Sequence, residues 1–215
     1  MPCVRHIVVC EGESELTYLQ RLQSFLEKEP LPDGTFEPPL LFIGPESAIP
    51  KNGCFGRLKC CYNQIRKGNK KASIQVWADF DLYCRNDNHC ATSYSSKTHG
   101  IPDFLFSFHN FEDFIALHWD GDDLNQWLHF GSPNGCNHFA VPCHADGYLP
   151  EIQRISPSYR KGELPPDFIS WASLKNLKSN LGHQPSSNPH DLQGIGSFAR
   201  FLIEQIERAY PCALD

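Results

Sequence analysis

The sequence predicts an α/β fold: a parallel sheet with helices on both faces. Two fragments carry that expectation. Val4-Arg5-His6-Ile7-Val8-Val9-Cys10 runs into Glu11-Gly12, and Ser73-Ile74-Gln75-Val76-Trp77-Ala78 runs into Asp79-Phe80-Asp81. Each is an apolar stretch of strand length that ends in acidic residues, the place where open α/β sheets build their sites. The third observation is alternation, since helical periods separate these runs from one another.

The elements follow in order. After the first strand, Ser14 is the expected N-cap, with Glu13 and Glu15 near the positive end of the helix dipole. Leu16, Leu19, Leu22, Phe25 and Leu26 then recur at helical spacing as far as about Glu29. Pro30, Pro32, Asp33 and Gly34 make a loop, and Leu40 to Ile43 reads as the second strand. From Cys54 to Arg66, Leu58, Cys61, Tyr62 and Ile65 mark a second amphipathic helix, closed by Gly68 and the basic turn Lys67, Asn69, Lys70, Lys71. The Asp79 strand is third, Phe104 to Phe108 fourth, and Phe111 to Trp119 a packed helix.

Beyond Asp120, Gly, Pro, Asn and His accumulate, so residues 121–150 are expected to form an irregular insertion. Helices resume over Phe168 to Leu181 and Ser197 to Ala209, where Phe198, Phe201, Leu202 and Ile206 share a face, with a polar loop from Gly182 to Asp191 between them. The expected organisation is a core over 1–120 and a loop-rich insertion with a helical C-terminal extension over 121–215, packed together as a single domain.

Composition narrows the function classes. With 215 residues and 40% hydrophobic content, the chain can bury a real core. No apolar stretch approaches the roughly 20 residues that span a bilayer, and no signal peptide is visible. The chain therefore reads as cytoplasmic, without a membrane partner. Its ten cysteines are then expected to be reduced, with Cys3, Cys10, Cys60 and Cys61 in core-like segments. A net charge of -6 argues against a large nucleic-acid surface, though not against a small basic rim. Lys67, Lys70 and Lys71 fit such a rim weakly, because a helix C-terminus favours cations in any case.

Strand ends converge in space, so Glu11, Asp79 and Asp81 are expected to share one pocket. Carboxylates gathered there repel one another, and a bound cation relieves the repulsion. All-oxygen ligation is the preference of Mg²⁺ or Mn²⁺, which leave positions open for water and phosphate oxygens; the implied chemistry is phosphoryl transfer. Tyr159, Arg160 and Lys161 are candidate phosphate ligands. A second, softer site is Cys84, His89 and Cys90 with Cys136, His138, Cys143 and His144, whose ligand types select Zn²⁺ but whose spacings match no standard finger. Bland readings stand beside each of these: dipole stabilisation for Glu11, Glu13 and Glu112, an ion pair of Glu15 with Arg66, solvated loop charges for Arg160 and Lys161, free thiols for the cysteines, and a hydrogen-bonded core residue for His118.

The fragments Val8-Val9-Cys10-Glu11-Gly12-Glu13-Ser14-Glu15 and Asp79-Phe80-Asp81 resemble the two motifs of the Toprim fold, a strand-terminal Glu-Gly and a later Asp-x-Asp. Within that superfamily, which includes OLD-type nucleases, the compact length, Phe111-Glu112 followed by Leu117-His118-Trp119, and Tyr159-Arg160-Lys161 resemble the RloB-like branch. The chain departs from that branch at Ser107-Phe108-His109-Asn110, where an Asn-Pro is usual, and over the Cys/His-rich stretch 136–144. The resemblance implies a Toprim-like Rossmannoid sheet and a Mg²⁺- or Mn²⁺-dependent nuclease of prokaryotic antiviral defence, often found beside an ABC- or AAA-type ATPase. By that analogy Glu11 is general base or acid, Asp79 and Asp81 hold the metal, and Glu112 is a fourth acidic member.

RNA or tRNA is favoured over DNA as substrate, because a small acidic chain lacks a long basic channel. A second protomer in a homodimer, or a partner, would complete the groove. No Walker A sequence is present, so the chain is not itself the P-loop ATPase. Two other readings remain open at this point: a non-catalytic nucleic-acid or ATPase-binding subunit with a structural cation, and a zinc-stapled interaction module.

Overall fold

The structure, a computed structural model, describes residues 5–35, 41–43, 55–70, 72–79, 104–107, 110–131, 145–161, 163–183 and 196–215. In chain order these form β1 (Arg5–Cys10), α1 (Glu13–Lys28), β2 (Leu41–Ile43), α2 (Phe55–Gly68), β3 (Ser73–Asp79), β4 (Phe104–Ser107), α3 (Phe111–Ala116), α4 (Gly121–Gly131), α5 (Ala145–Ile155), α6 (Trp171–Asn180), a 3-10 turn (Leu181–His183), β5 (Gly196–Ser197) and α7 (Phe198–Ala209). The strands lie in the order β2-β1-β3-β4-β5. Every pairing is parallel, so a four-stranded parallel sheet carries a two-residue fifth strand at its edge. The α/β class with a flanked parallel sheet is thus as the sequence predicts.

Strand order and handedness together place the helices. Because β2 and β3 lie on opposite sides of β1, right-handed crossovers put α1 and α2 on opposite faces of the sheet. The two apolar clusters show this. Val8, Cys10 and Trp77 pack with Leu16, Leu19 and Leu22 of α1 and with α3 to α7. Ile7, Val9, Ile74, Val76 and Ala78 pack with Leu58 and Tyr62 of α2. Alternation along β1 and β3 sends successive side chains to different layers, so one strand supplies both cores. The sheet consequently separates Glu15 on α1 from the exposed Arg66 on α2, and the ion pair considered between them gives way to a local role for Glu15 described below.

Helix ends follow from local chemistry. Gly12, rather than the expected Ser14, is the N-cap of α1. The helix stops at Glu29, which is extended (φ -93°, ψ 131°) as a residue before proline prefers. Asn110 caps α3 by accepting from the Asp113 N–H at 2.9 Å. Ser170 and Ser173 cap α6 reciprocally, and Ser197 caps α7.

The expected irregular insertion is corrected by two helices, α4 and α5, while residues 132–144 lie outside the described residues. Asp120 caps α4 through the N–H groups of Asp122 and Asp123. Leu124 and Trp127 form its buried face. In α5 Pro150 lies inside the helix, which costs about 3 kcal/mol of helix propensity. Burial of Tyr148 and Ile152 against the larger core offsets that cost. The C-terminal helix is equally integral: Phe198 of α7 stacks on Trp77 with ring centroids 3.6 Å apart and planes 8° from parallel. Cys10 is buried and Cys61 half-buried, whereas Cys60 is exposed on α2 instead of core-like.

His118 is a core histidine, as its neighbours suggested. Its Nδ1 faces the Phe114 carbonyl at 3.1 Å, which can only accept, so Nδ1 carries the proton and Nε2 accepts from the Tyr18 hydroxyl at 2.9 Å. Burial lowers its pKa to about 4. The unfolded chain therefore binds more protons below the ordinary histidine pKa of 6.5, and stability falls as pH drops from there toward about 4. Denaturant unfolding at pH 7 and pH 5 is expected to differ by about 2 kcal/mol from this group, and His118→Gln should flatten that slope.

Candidate functional site

The carboxyl ends of β1 and β3 face each other where the strand order reverses, which is where a doubly wound sheet leaves a crevice. The backbone closes that corner tightly. Glu11 N–H donates to the Trp77 carbonyl at 2.9 Å, extending the β1–β3 ladder by one step. Asp79 N–H returns a bond to Glu11 Oε2 at 2.7 Å. The two acidic residues singled out from separate strands are therefore held together by a charge-assisted hydrogen bond.

Gly12 lies close beneath the Glu15 carboxylate. Its N–H donates to Glu15 Oε2 at 3.1 Å, and a Cβ on Gly12 would lie 3.2 Å from that oxygen. The glycine lets the Glu15 carboxylate fold back over the helix start. Glu15 is buried, so its role is local capping at the first turn of α1, beside the site.

Glu112 enters from the start of α3. It is 4% exposed, and two tyrosines hold it: Tyr148 O–H donates to Oε2 at 2.9 Å and Tyr159 O–H to Oε1 at 3.3 Å. Burial raises the Glu112 pKa above the usual carboxyl range, opposed by the Tyr148 hydrogen bond and by the positive charge of Lys161. Tyr159 is raised above the usual phenol range first by burial, then by the negative charges of Glu112, Asp79 and Glu15. The Tyr159 hydroxyl thus bonds to Glu112 and lies within electrostatic range of Asp79 and Glu15.

The other sequence candidates divide clearly. Tyr159 is buried and makes its hydroxyl contact with Glu112. Arg160 is exposed and donates to the carbonyls of Pro157 and Tyr159 at 2.8 and 2.7 Å, bracing its own turn. Lys161 is exposed within electrostatic reach of Glu112. Asp81 lies outside the described residues, as do Cys84, His89, Cys90, Cys136, His138, Cys143, His144 and Lys71. Among the described residues, no three His, Cys, Asp or Glu side chains are gathered as a metal site. Sequence reasoning missed Glu15 as the carboxylate that caps Gly12 and Tyr148 as a partner of Glu112. A Glu three residues after a cap glycine signals the first, but nothing local marks Tyr148, which stands between the loop-favouring Gly147 and Pro150.

Tyr148→Phe tests this cluster. Losing a hydrogen bond to a buried carboxylate is expected to cost about 1.5–3 kcal/mol when Glu112 is ionised. Because the folded pKa of Glu112 is raised, the native state holds the proton more firmly than the unfolded chain, and stability declines as pH rises through the folded pKa. The penalty in Tyr148→Phe should therefore grow from acidic to neutral pH in urea unfolding; a pH-independent penalty would place Glu112 elsewhere.

These features define an open, doubly wound parallel α/β protein in which Asp79 N–H bonds to the Glu11 carboxylate at the switch point. Comparison with known proteins finds no matching family model, no matching curated protein and no matching solved structure. Among the described residues, no helix is long and apolar enough to cross a membrane.

Proposed function

We propose that the chain is a divalent-metal-dependent nuclease that hydrolyses phosphodiester bonds, with RNA or tRNA favoured over DNA. The resemblance to RloB-like Toprim proteins further suggests prokaryotic defence and an ATPase partner of the ABC or AAA type. The observation that carries the reading is the Asp79 N–H bond to Glu11 Oε2 at the β1/β3 switch point, which joins two acidic residues from distant parts of the chain.

The donor chemistry fits a hard cation. Glu11 and Asp79 offer only carboxylate oxygens, the ligands that suit Mg²⁺ or Mn²⁺, and such ions complete their shell with water and phosphate oxygens. Glu11 and Asp79 would hold the ion, with Asp81 as the further ligand implied by the motif. When bound, it supplies charge neutralisation at the phosphate and acidifies water. Glu11, fixed through one oxygen by the Asp79 amide, would either accept the proton of attacking water or complete the shell of the ion. Glu112, oriented by Tyr148 and Tyr159, would be a further acidic member of the site. Lys161, exposed and within electrostatic range of Glu112, would be available to a phosphate oxygen.

The test is cleavage of tRNA, single-stranded RNA, single-stranded DNA and duplex DNA with Mg²⁺, with Mn²⁺ and with EDTA, comparing wild type with Asp79→Asn. Metal-dependent cutting that disappears in Asp79→Asn is the expected result. Metal-independent cutting, or cutting retained in the variant, would remove the reading.

A further inference from the structure

We propose that the basic side of α2 binds the phosphate backbone of the same nucleic-acid strand that is cut at the switch point, at the opposite edge of the sheet; this rests on the nuclease reading. Charge is strongly segregated along the chain. No Asp or Glu lies between Glu46 and Asp79, whereas seven of the 19 basic residues fall from Lys51 to Lys71. In a chain of net charge -6, four of those seven, Arg57, Lys59, Arg66 and Lys67, fall within α2 and concentrate positive potential there.

The structure turns this composition into a surface. Lys59, Asn63, Arg66 and Lys67 recur at helical spacing on one side of α2, and Lys70 follows in the next turn. Asn63, Arg66, Lys67 and Lys70 are exposed and line an open depression of about 560 Å³. Among the described residues, none of these three cations forms an ion pair. The helix dipole favours cations in the last turn only, so it accounts for Arg66 and Lys67 but not for Lys59 or the absence of acids. An anionic bilayer is a poor fit. Leu58 and Tyr62 of α2 are buried against the sheet, which among the described residues leaves no apolar face to insert beside the charges. A row of cations without an apolar partner suits a linear polyanion.

Topology fixes the distance between the two sites. In a parallel crossover α2 runs against the strands, so its carboxyl end lies beside the start of β3, while Asp79 closes the other end of that strand. The seven residues of β3 span roughly 20 Å at about 3.3 Å each, and the path is longer because α2 lies on the face of the sheet opposite Trp77. A strand stacked at about 3.4 Å per nucleotide therefore needs roughly six nucleotides or more to touch both places. Short oligonucleotides should therefore be cut without benefit from α2.

The experiment measures binding of fluorescent single-stranded RNAs of about 20 and about 4 nucleotides across a salt series, with Asp79→Asn as background to prevent cutting. The triple substitution Arg66→Ala, Lys67→Ala, Lys70→Ala is expected to weaken the long RNA at least tenfold and to reduce the slope of log affinity against log salt by about 2. The short RNA should be unaffected. Arg21→Ala with Lys28→Ala, which removes two positive charges on α1 and none on α2, should leave the salt slope unchanged, and Arg66→Lys with Lys67→Arg should bind as well as the background. An unchanged affinity and slope in a triple variant with wild-type thermal stability would overturn the proposal. Weakened long-RNA binding by a chain whose wild type does not cut would remove the nuclease reading and leave the contact surface standing. Cutting by wild type, with binding indifferent to the triple substitution, would remove the contact surface alone.

Discussion

Glu11→Gln is expected to lower phosphodiester cleavage by about 10²–10⁴-fold, the usual contribution of a positioned general acid or base, while leaving the fold intact. The substitution is informative because it separates charge from geometry. Glutamine keeps a carbonyl oxygen where Oε2 accepts the Asp79 N–H at 2.7 Å, so the corner between β1 and β3 remains closed. What disappears is the negative charge and the ability to take a proton. Removing one of two neighbouring negative charges, Glu11 and Asp79, should keep the melting temperature close to that of wild type. Steady-state cleavage of the best substrate, paired with thermal unfolding, reads both quantities. Undiminished cleavage by a well-folded Glu11→Gln would require the chemistry to lie elsewhere.

The largest stability effect is expected at Trp77. Its ring is fully buried, stacks on Phe198 and packs edge-on against Tyr18 and Phe114 with centroids 5.8 and 5.1 Å away. Its Nε1–H also donates to Ser107 Oγ at 2.8 Å. Trp77→Ala removes all of this, and a large-to-small change of that kind costs about 3–5 kcal/mol, a large share of the roughly 5–15 kcal/mol that holds an ordinary domain together. Trp77→Phe should cost much less, since it keeps an aromatic ring on Phe198 and loses chiefly the bond to Ser107, about 1 kcal/mol. Urea unfolding of the three proteins gives the ranking directly. Trp77 and Asp79 are two residues apart on one strand, so Trp77→Ala should also loosen the site and lower its activity, whereas Glu11→Gln changes activity alone.

Trp77 also illustrates what is legible in a strand. The run Ile74 to Ala78 announces burial on both faces, because a central parallel strand has no face to give to water. The same reasoning found β1 and the apolar sides of α1, α2 and α7, where local periodicity and tertiary burial agree. It failed for α4 and α5. Gly147 and Pro150 are local signs of a loop, but the helix they sit in buries Tyr148 and Ile152, and that distant packing outweighs the local preference. β5 was equally hidden: two residues have no period, and Gly196–Ser197 becomes a strand only because Leu105 and Phe106 pair with it.

The carboxylate site divides the same way. Sequence alone determined that Glu11 and Asp79 terminate strands, since apolar runs of that length followed by acids have little other use. It also determined that α2 is basic and that His118 sits among apolar neighbours. Tertiary structure alone decided that β1 and β3 are adjacent, that Asp79 N–H bonds to Glu11, and that Tyr148 and Tyr159 turn two hydroxyls onto Glu112. The physical reason is range. Periodicity and caps are set by residues within a few positions, whereas strand order and core closure join segments far apart in the chain, as where Trp77 meets Phe198, and these meet only when the two hydrophobic layers close on the sheet.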